Sequence, residues 1–570
     1  MATDYWVSPT TRSIDYGLSP MQAKALLGTK NVFLQACPGS GKTTALAGRV
    51  AWLRGQGAKV ALISFTNVGA DEIAKKIQAS HGLKLSGDSY IGTIHSFLQK
   101  YVLTPFAHKL TGSDSAVRID PREVERRDPS NCKTEDYTFT NDGKIRPNNP
   151  KNTVESNIAE IVLSAKLEAA KFGVVSANDA VYWSARVLRE IPGVAQALAE
   201  RFDEIVVDEA QDTTEMQLDC LDLIMLAGLK SMVLVGDYDQ SIYGFNGARR
   251  DLCASMASEW DLREETLTEN YRSSQEICNA SGRLRGETPA DTAVGPFKDF
   301  GVAPQIFLYS PGKEDMISSI FMEMTELYGI EPKNSTILAP SNHLAAVIRG
   351  QRLDILPKDI KILVDAKLSK DGITIDGYKS IERLFSRLAF GRESATQMMD
   401  PLEIRNKVVK LLSMLPVPTG DLRLWASDAI HLTDILVSEL TQNPSSKLGV
   451  EIDASALNLG SAESFGQVGV TRVSTIHGVK GESIDAVALI LQPQSERQRE
   501  FGYHGPAGIL ANRLAKPSTA DLDTDEWRRV TYVAMTRARK LLAIGIPDTD
   551  PPSVLYQFRA AGFGYFAPAL

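Results

Sequence analysis

Cysteine is scarce and poorly spaced for chemistry. Five occur in 570 residues, at positions 37, 132, 220, 253 and 278, and no two form a CxxC pair. A scattered, odd-numbered set argues against a disulfide framework and against a zinc site. It makes a reducing cytoplasmic setting the default. Long apolar runs are also missing, so no bilayer-spanning segment and no membrane partner are expected. The N-terminus, MATDYWVSPTTRSIDYG, lacks a basic stretch followed by an apolar one, so no signal peptide is expected. Basic charge is not in excess: the net charge is -8. That excludes a protein coated in basic surface, but not a local basic groove lined by several domains. Internal repeats and low-complexity tracts are absent as well.

What is present is an ordinary globular composition, 43% hydrophobic and 23% charged, enough to bury cores. The length exceeds one typical domain, and about two to four are expected. Short apolar runs alternate with helical patterns in two regions. NVFLQA (31–36), KVALISF (59–65), EIVVDEA (204–210) and SMVLVGD (231–237) read as buried parallel strands. Helical stretches such as 42–54 and 69–79 lie between them. STILAPS (335–341), DAVALIL (485–491) and KLLAIGIP (540–547) form a second set. Two α/β cores are expected. Residues 98–184 and 366–464 interrupt them and are far longer than ordinary loops. The first is partly polar and rich in Pro and Asn. The second reads as mostly helical, as in SIERLFSRLAF and EIRNKVVKLLSMLP.

ACPGSGKTT, Ala36 to Thr44, follows a strand and begins a helix. Gly39 and Gly41 let backbone N–H groups turn toward an anion, and Cys37, Pro38 and Ser40 complete the loop. The helix N-terminus adds partial positive charge. Lys42 can reach the β- and γ-phosphates, and Thr43 can ligate Mg²⁺. Ala36 stands where the strict pattern has glycine. IVVDEAQD ends an apolar strand with Asp208 and Glu209. Asp208 can hold Mg²⁺ through water, and Glu209 can orient or deprotonate the attacking water. Together the two motifs are the signature of a nucleoside triphosphatase, with a nucleoside triphosphate and Mg²⁺ as the expected cofactors.

The chain resembles the UvrD/Rep/PcrA-like helicases of superfamily 1. The motifs that carry this run in family order: LSPMQAKAL, ISFTNVGADEI, GTIHSF, VVDEAQD, VGDYDQSIYGFNGA, LTENYRSS, VSTIHGVKGESIDAVAL and EWRRVTYVAMTRARKLL. The resemblance implies two RecA-like P-loop cores with parallel sheets, each interrupted by a mainly helical accessory domain. The first core would comprise 1–97 and 185–265, with 98–184 inserted. The second would comprise 266–365 and 465–570, with a reduced insertion at 366–464.

The resemblance also implies ATP as the nucleotide, and roles for single residues. Gln22 would read the adenine edge, Tyr271 would stack on the base, and Arg49 would lie near the nucleotide. Arg272 and Arg537 would reach the γ-phosphate, and Gln240 would sense it. Glu482 would approach the ribose. DNA contacts would fall on Phe65, Thr66, Asn67, Thr93, His95, Tyr243, Phe245, Asn246, Thr475 and His477, with aromatic faces stacking on bases. The implied activity is an ATP-driven translocase and 3′–5′ helicase acting on single-stranded and 3′-tailed duplex DNA. The alternative is a nucleotide- and DNA-sensing regulatory ATPase that controls a separate nuclease or repair protein, for example in anti-phage defence. The chain departs from the family at FNGA, where Trp-Arg-Gly-Ala is usual. It departs again at Glu482, which directly follows Gly481, and at Tyr238, where an acid is usual.

Overall fold

The computed structural model describes residues 16–84, 87–120, 124, 134–148, 152–241, 250–286, 290–348, 357–368, 375–394, 401–416, 422–441, 444–452, 471–494, 505–516 and 526–568. Two six-stranded parallel sheets organise the chain, as expected.

The first sheet uses β1 (Val32–Ala36), β2 (Val60–Ser64), β3 (Tyr90–Thr93), β4 (Glu204–Asp208), β5 (Met232–Gly236) and β6 (Arg263–Leu267). Their order across the sheet is β6-β1-β5-β4-β2-β3. Side chains alternate between the two faces of a strand, and both faces here are covered. Val32, Leu34, Val60, Leu62 and Val206 join one apolar core. Phe33, Ala61, Ile63, Ile205 and Val207 join the other. Burial on both sides is why these strands read as unbroken apolar runs.

The second sheet uses β7 (Gln305–Tyr309), β8 (Ser335–Ala339), β9 (Arg472–Thr475), β10 (Ile484–Ile490), β11 (Ala538–Pro547) and β12 (Gly564–Tyr565). Their order is β9-β8-β10-β11-β7-β12. The same two-sided division holds, with Leu338, Val487 and Leu489 in one core and Ile337, Ala486, Ala488 and Ile490 in the other.

The two long interruptions pack differently. Phe97, Val102, Val117, Phe139, Val162, Tyr182 and Trp183 share one continuous core with the Phe33 face of the first sheet. The segment around 98–184 therefore extends that face. The second interruption has a core of its own, running from Ile360 to Ile452. It includes the helix Lys358–Leu368, which begins before residue 366. Strand β6 likewise runs past residue 265, where the first core was expected to end. Among the described residues, no helix is long and apolar enough to cross a membrane.

Four helices frame the site. They are α1 (Pro20–Leu26), α2 (Lys42–Gly55), α3 (Asn67–His81) and α4 (Glu526–Met535).

Candidate functional site

A cavity of about 750 Å³ lies between the two cores. Its floor is the turn from β1 into α2. Gly39 (φ 80°) and Gly41 (φ 75°) take left-handed conformations that suit glycine. They also stand where side chains cannot fit. A Cβ on Gly39 would lie 2.6 Å from Arg272 Cβ, and one on Gly41 would lie 2.9 Å from Gln22 Nε2. Ser40 is buried, and its hydroxyl has no partner among the described residues. Lys42 Nζ lies 3.4 Å from Glu209 Oε1. Thr43 lines the cavity beside Lys42. A glycine-containing loop, the Ser40 hydroxyl and an ammonium at the start of a 14-residue helix fit a polyphosphate.

The acids come from the end of β4. Asp208 is the last strand residue, and Glu209 follows in a left-handed conformation (φ 54°, ψ 42°). That turn aims both carboxylates at the cavity. Burial, and then the charge of Glu209, raises the Asp208 carboxyl. Burial also works against the Glu209 charge, but Lys42 and Lys480 outweigh it and hold its pKa at about 2. Glu209 is thus ionised whenever the protein is folded near neutrality. Lys42 stays charged although burial opposes it, because Glu209, Asp208 and Asp237 surround it. Among the described residues, no cluster of three or more His, Cys, Asp or Glu side chains could hold a metal ion. A divalent ion at Thr43 and Asp208 would therefore take its other oxygens from phosphate and water.

The opposite wall comes from the second core and the connection leaving β6. Arg272 lines the cavity and donates to the Thr536 carbonyl at 3.0 Å. Arg537, just beyond α4, is buried and donates to Gln240 Oε1 at 2.7 Å. Gln240 in turn donates to Asp237 Oδ2 at 2.8 Å. Burial, and then Arg537, lowers Arg272 to about 9. Glu482 lines the cavity and pairs in bidentate fashion with Arg472, at 2.6 and 3.0 Å.

Sheet, phosphate cradle and acid pair are the parts of an N-terminal helicase core, and the family comparison agrees. The UvrD/REP helicase N-terminal domain family matches residues 18–148 and 130–261. Residues 18–261, a little under half of the chain, are thus similar to the N-terminal domain of UvrD/REP helicases. DNA helicase II of Haemophilus influenzae is 27% identical over 278 residues, which are 45% of this chain and 38% of that protein. DNA helicase II of Escherichia coli is 27% identical over 290 residues, or 47% and 40%. ATP-dependent DNA helicase PcrA of Leuconostoc citreum is 24% identical over 307 residues, or 48% and 40%. The matched part thus spans about two-fifths of the length of each of these relatives.

Other expected site residues fall in several places. Gln22 sits over the phosphate loop and donates to the Ser40 carbonyl at 2.8 Å. Its Oε1 closes a capping box on Ser19 at 3.1 Å. Tyr271 lines the cavity, with its hydroxyl on Glu269 Oε2 at 2.8 Å. Ala36 ends β1, and Cys37 is buried below the loop. Thr44 lies in the first turn of α2. Arg49 requires a correction. Expected near the nucleotide, it is fully buried away from the cavity lining. It forks onto Glu204 at 2.7 and 2.6 Å and onto the Thr29 carbonyl at 2.8 Å. An arginine so desolvated needs all these partners, and its role is to tie α2 to β4.

The proposed DNA contacts cluster at strand ends. Phe65 and Thr66 leave β2 and line the cavity. Thr66 caps α3 by accepting from Gly69 N–H at 3.0 Å, and Asn67 is the first residue of that helix. Thr93 ends β3 and caps the following helical turn, which carries a half-buried His95. Thr475 ends β9, and His477 lines the cavity. Tyr243, Phe245 and Asn246 lie outside the described residues.

Sequence reading missed several residues that bridge the cores. Lys480 reaches from the β9–β10 crossover to Asp212 and also donates to the Gln240 carbonyl at 3.3 Å. Asp239 holds Arg285 and Arg528, each at 2.9 Å. Arg529 donates to the Ser241 carbonyl at 2.6 Å. Further charges inside the quoted motifs, such as Lys480 in HGVKGES, were the available signal.

Proposed function

We propose that this chain is an ATP-driven single-stranded DNA translocase and 3′–5′ helicase. One observation carries the reading: phosphate loop, acid pair and two arginines from opposite sides converge on a single cavity. The matched helicase family supports the same reading.

The residues divide the work. Backbone N–H groups of residues 39–43 and Lys42 bind the β- and γ-phosphates of ATP. Thr43 and Asp208 hold Mg²⁺, which neutralises charge on the phosphate oxygens when bound. Glu209 orients the attacking water and takes its proton as the water oxygen bonds to the γ-phosphorus. The bond to the bridging oxygen breaks, leaving ADP and phosphate. Arg272 and Arg537 stabilise charge on the transferring group. Because Gln240 holds Arg537, the state of the phosphate reaches the segment that continues into Tyr243 and Phe245. That segment is proposed to face single-stranded DNA together with Phe65, Thr66, Asn67, Thr93, His95, Thr475 and His477. Closure and reopening of the cleft then move the strand. The direction of movement rests on the family resemblance.

The test is ATPase activity with and without single-stranded DNA, alongside separation of 3′-tailed and 5′-tailed duplexes. DNA-stimulated hydrolysis with separation only of the 3′-tailed duplex is expected. No hydrolysis in either condition overturns the reading. Stimulated hydrolysis without separation overturns the helicase half of it.

A further inference from the structure

Ser64 has no role in the scheme above, yet its surroundings point to one. It ends β2 and is 1% exposed. Its hydroxyl is buried with no hydrogen-bond partner among the described residues, and the residue lines the cavity. An unpaired buried hydroxyl is disfavoured unless something completes it. Backbone register gives its neighbour. Strands β2 and β4 pair in parallel, with Ile63 opposite Val207. One residue further on, Ser64 stands beside Asp208 on the same side of the sheet, and both face the cavity.

The hydroxyl packs directly against Gly69 in the first turn of α3, where the missing Cβ leaves room for it. A Cβ there would lie 2.6 Å from Ser64 Oγ. Gly69 has an ordinary helical backbone, so backbone conformation does not require glycine here. Its N–H is also committed, to Thr66 Oγ1 at 3.0 Å. The gap therefore belongs to the Ser64 hydroxyl.

We propose that Ser64 is a positioning residue for the metal: its hydroxyl and the Asp208 carboxylate share a water in the outer shell of the nucleotide-bound Mg²⁺. This rests on the nucleotide reading above. Outer-shell partners of a metal orient its ligands, and losing one typically costs tenfold or more in metal affinity. A structural hydroxyl would behave differently. One that lacks a protein partner contributes no intramolecular hydrogen bond, so deleting it leaves the metal-free fold as stable as before.

The experiment follows binding of a fluorescent, non-hydrolysable ATP analogue as Mg²⁺ is titrated, together with the thermal midpoint of the metal-free chain. For Ser64→Ala, the Mg²⁺ concentration at half-saturation should rise about tenfold, with the metal-free midpoint unchanged. Ser64→Thr, which keeps the hydroxyl, should recover most of the shift. An unshifted Mg²⁺ requirement in Ser64→Ala overturns the role, whether or not the thermal midpoint falls. A wild-type chain that binds no analogue overturns the nucleotide reading, and the role of Ser64 with it.

Discussion

Glu209 combines a left-handed backbone (φ 54°) with a carboxyl held at about 2. A non-glycine residue in that region costs roughly 1–2 kcal/mol, so the acid is aimed at a structural cost. Glu209→Gln keeps an oxygen for Lys42 but cannot take a proton. It should retain ATP binding and lose hydrolysis by about 10²-fold or more, as read by single-turnover assay and analogue binding. Normal hydrolysis would show that another group is the base. Asp212 leads to a pH prediction. Burial raises it from 3.8 to about 6, against the pull of Lys480. Between those values the folded chain keeps a proton that the unfolded chain has released. Stability from this group is therefore present below 3.8 and lost as pH rises through about 6. Thermal midpoints across that window should fall with pH, and Asp212→Asn should flatten the fall.

Elements carry these residues to the cavity, and small contacts fix the elements. The stretch after β6 brings Tyr271 and Arg272 to the nucleotide side. Gly295 lies directly against it: a Cβ there would stand 2.5 Å from the Tyr271 carbonyl carbon and 2.8 Å from its Cα. Backbone cannot yield as a flexible side chain does, and overpacking of this kind costs about 1–3 kcal/mol. Gly295→Ala should lower the thermal midpoint and reduce ATPase more than analogue binding, because Arg272 moves with that stretch. An unchanged midpoint would show that the connection slides freely. Element edges also explain what the sequence hid. The seven strands read from apolar runs are all present. Within the two six-stranded sheets five strands were unread, and four of these, 90–93, 263–267, 472–475 and 564–565, lie at sheet edges. An edge strand is short, or charged like Arg263–Leu267, which blocks further pairing. Gln305–Tyr309 is the exception. Its apolar run was as legible as the others.

At the scale of the whole molecule, the cores meet through buried charge. Asp239 of the first core holds Arg285 and Arg528, and Lys480 reaches back to Asp212. Removing one partner of a buried pair leaves the other charge stranded, at about 3–5 kcal/mol. Asp239→Ala should therefore lower denaturant stability by about that amount. A loss near zero would mean that the cores part at this edge in solution. Arg537→Ala tests closure itself. Hydrolysis should fall by about 10³-fold or more while analogue binding persists. Equal loss of both would make Arg537 a binding residue alone.

Local chemistry was readable along the chain. A strand, two glycines and a lysine before a helix make an anion cradle wherever they occur, because backbone geometry decides it. Apolar runs revealed the doubly covered strands for the same local reason. The resemblance to one helicase family was also legible in the chain alone, through motifs in order. Tertiary structure decided the rest. Arg49 resembles a site residue in sequence, but Glu204 on a distant strand captures it. The segment around 98–184 reads as a separate insertion, but shares a core with the first sheet. Asp212 and Lys480 are 268 residues apart, and nothing local marks them as partners. Ser64 looks like any strand-end serine until its register beside Asp208 and the gap left by Gly69 are known. Electrostatic and steric relations between distant segments depend on packing, and no local pattern encodes them.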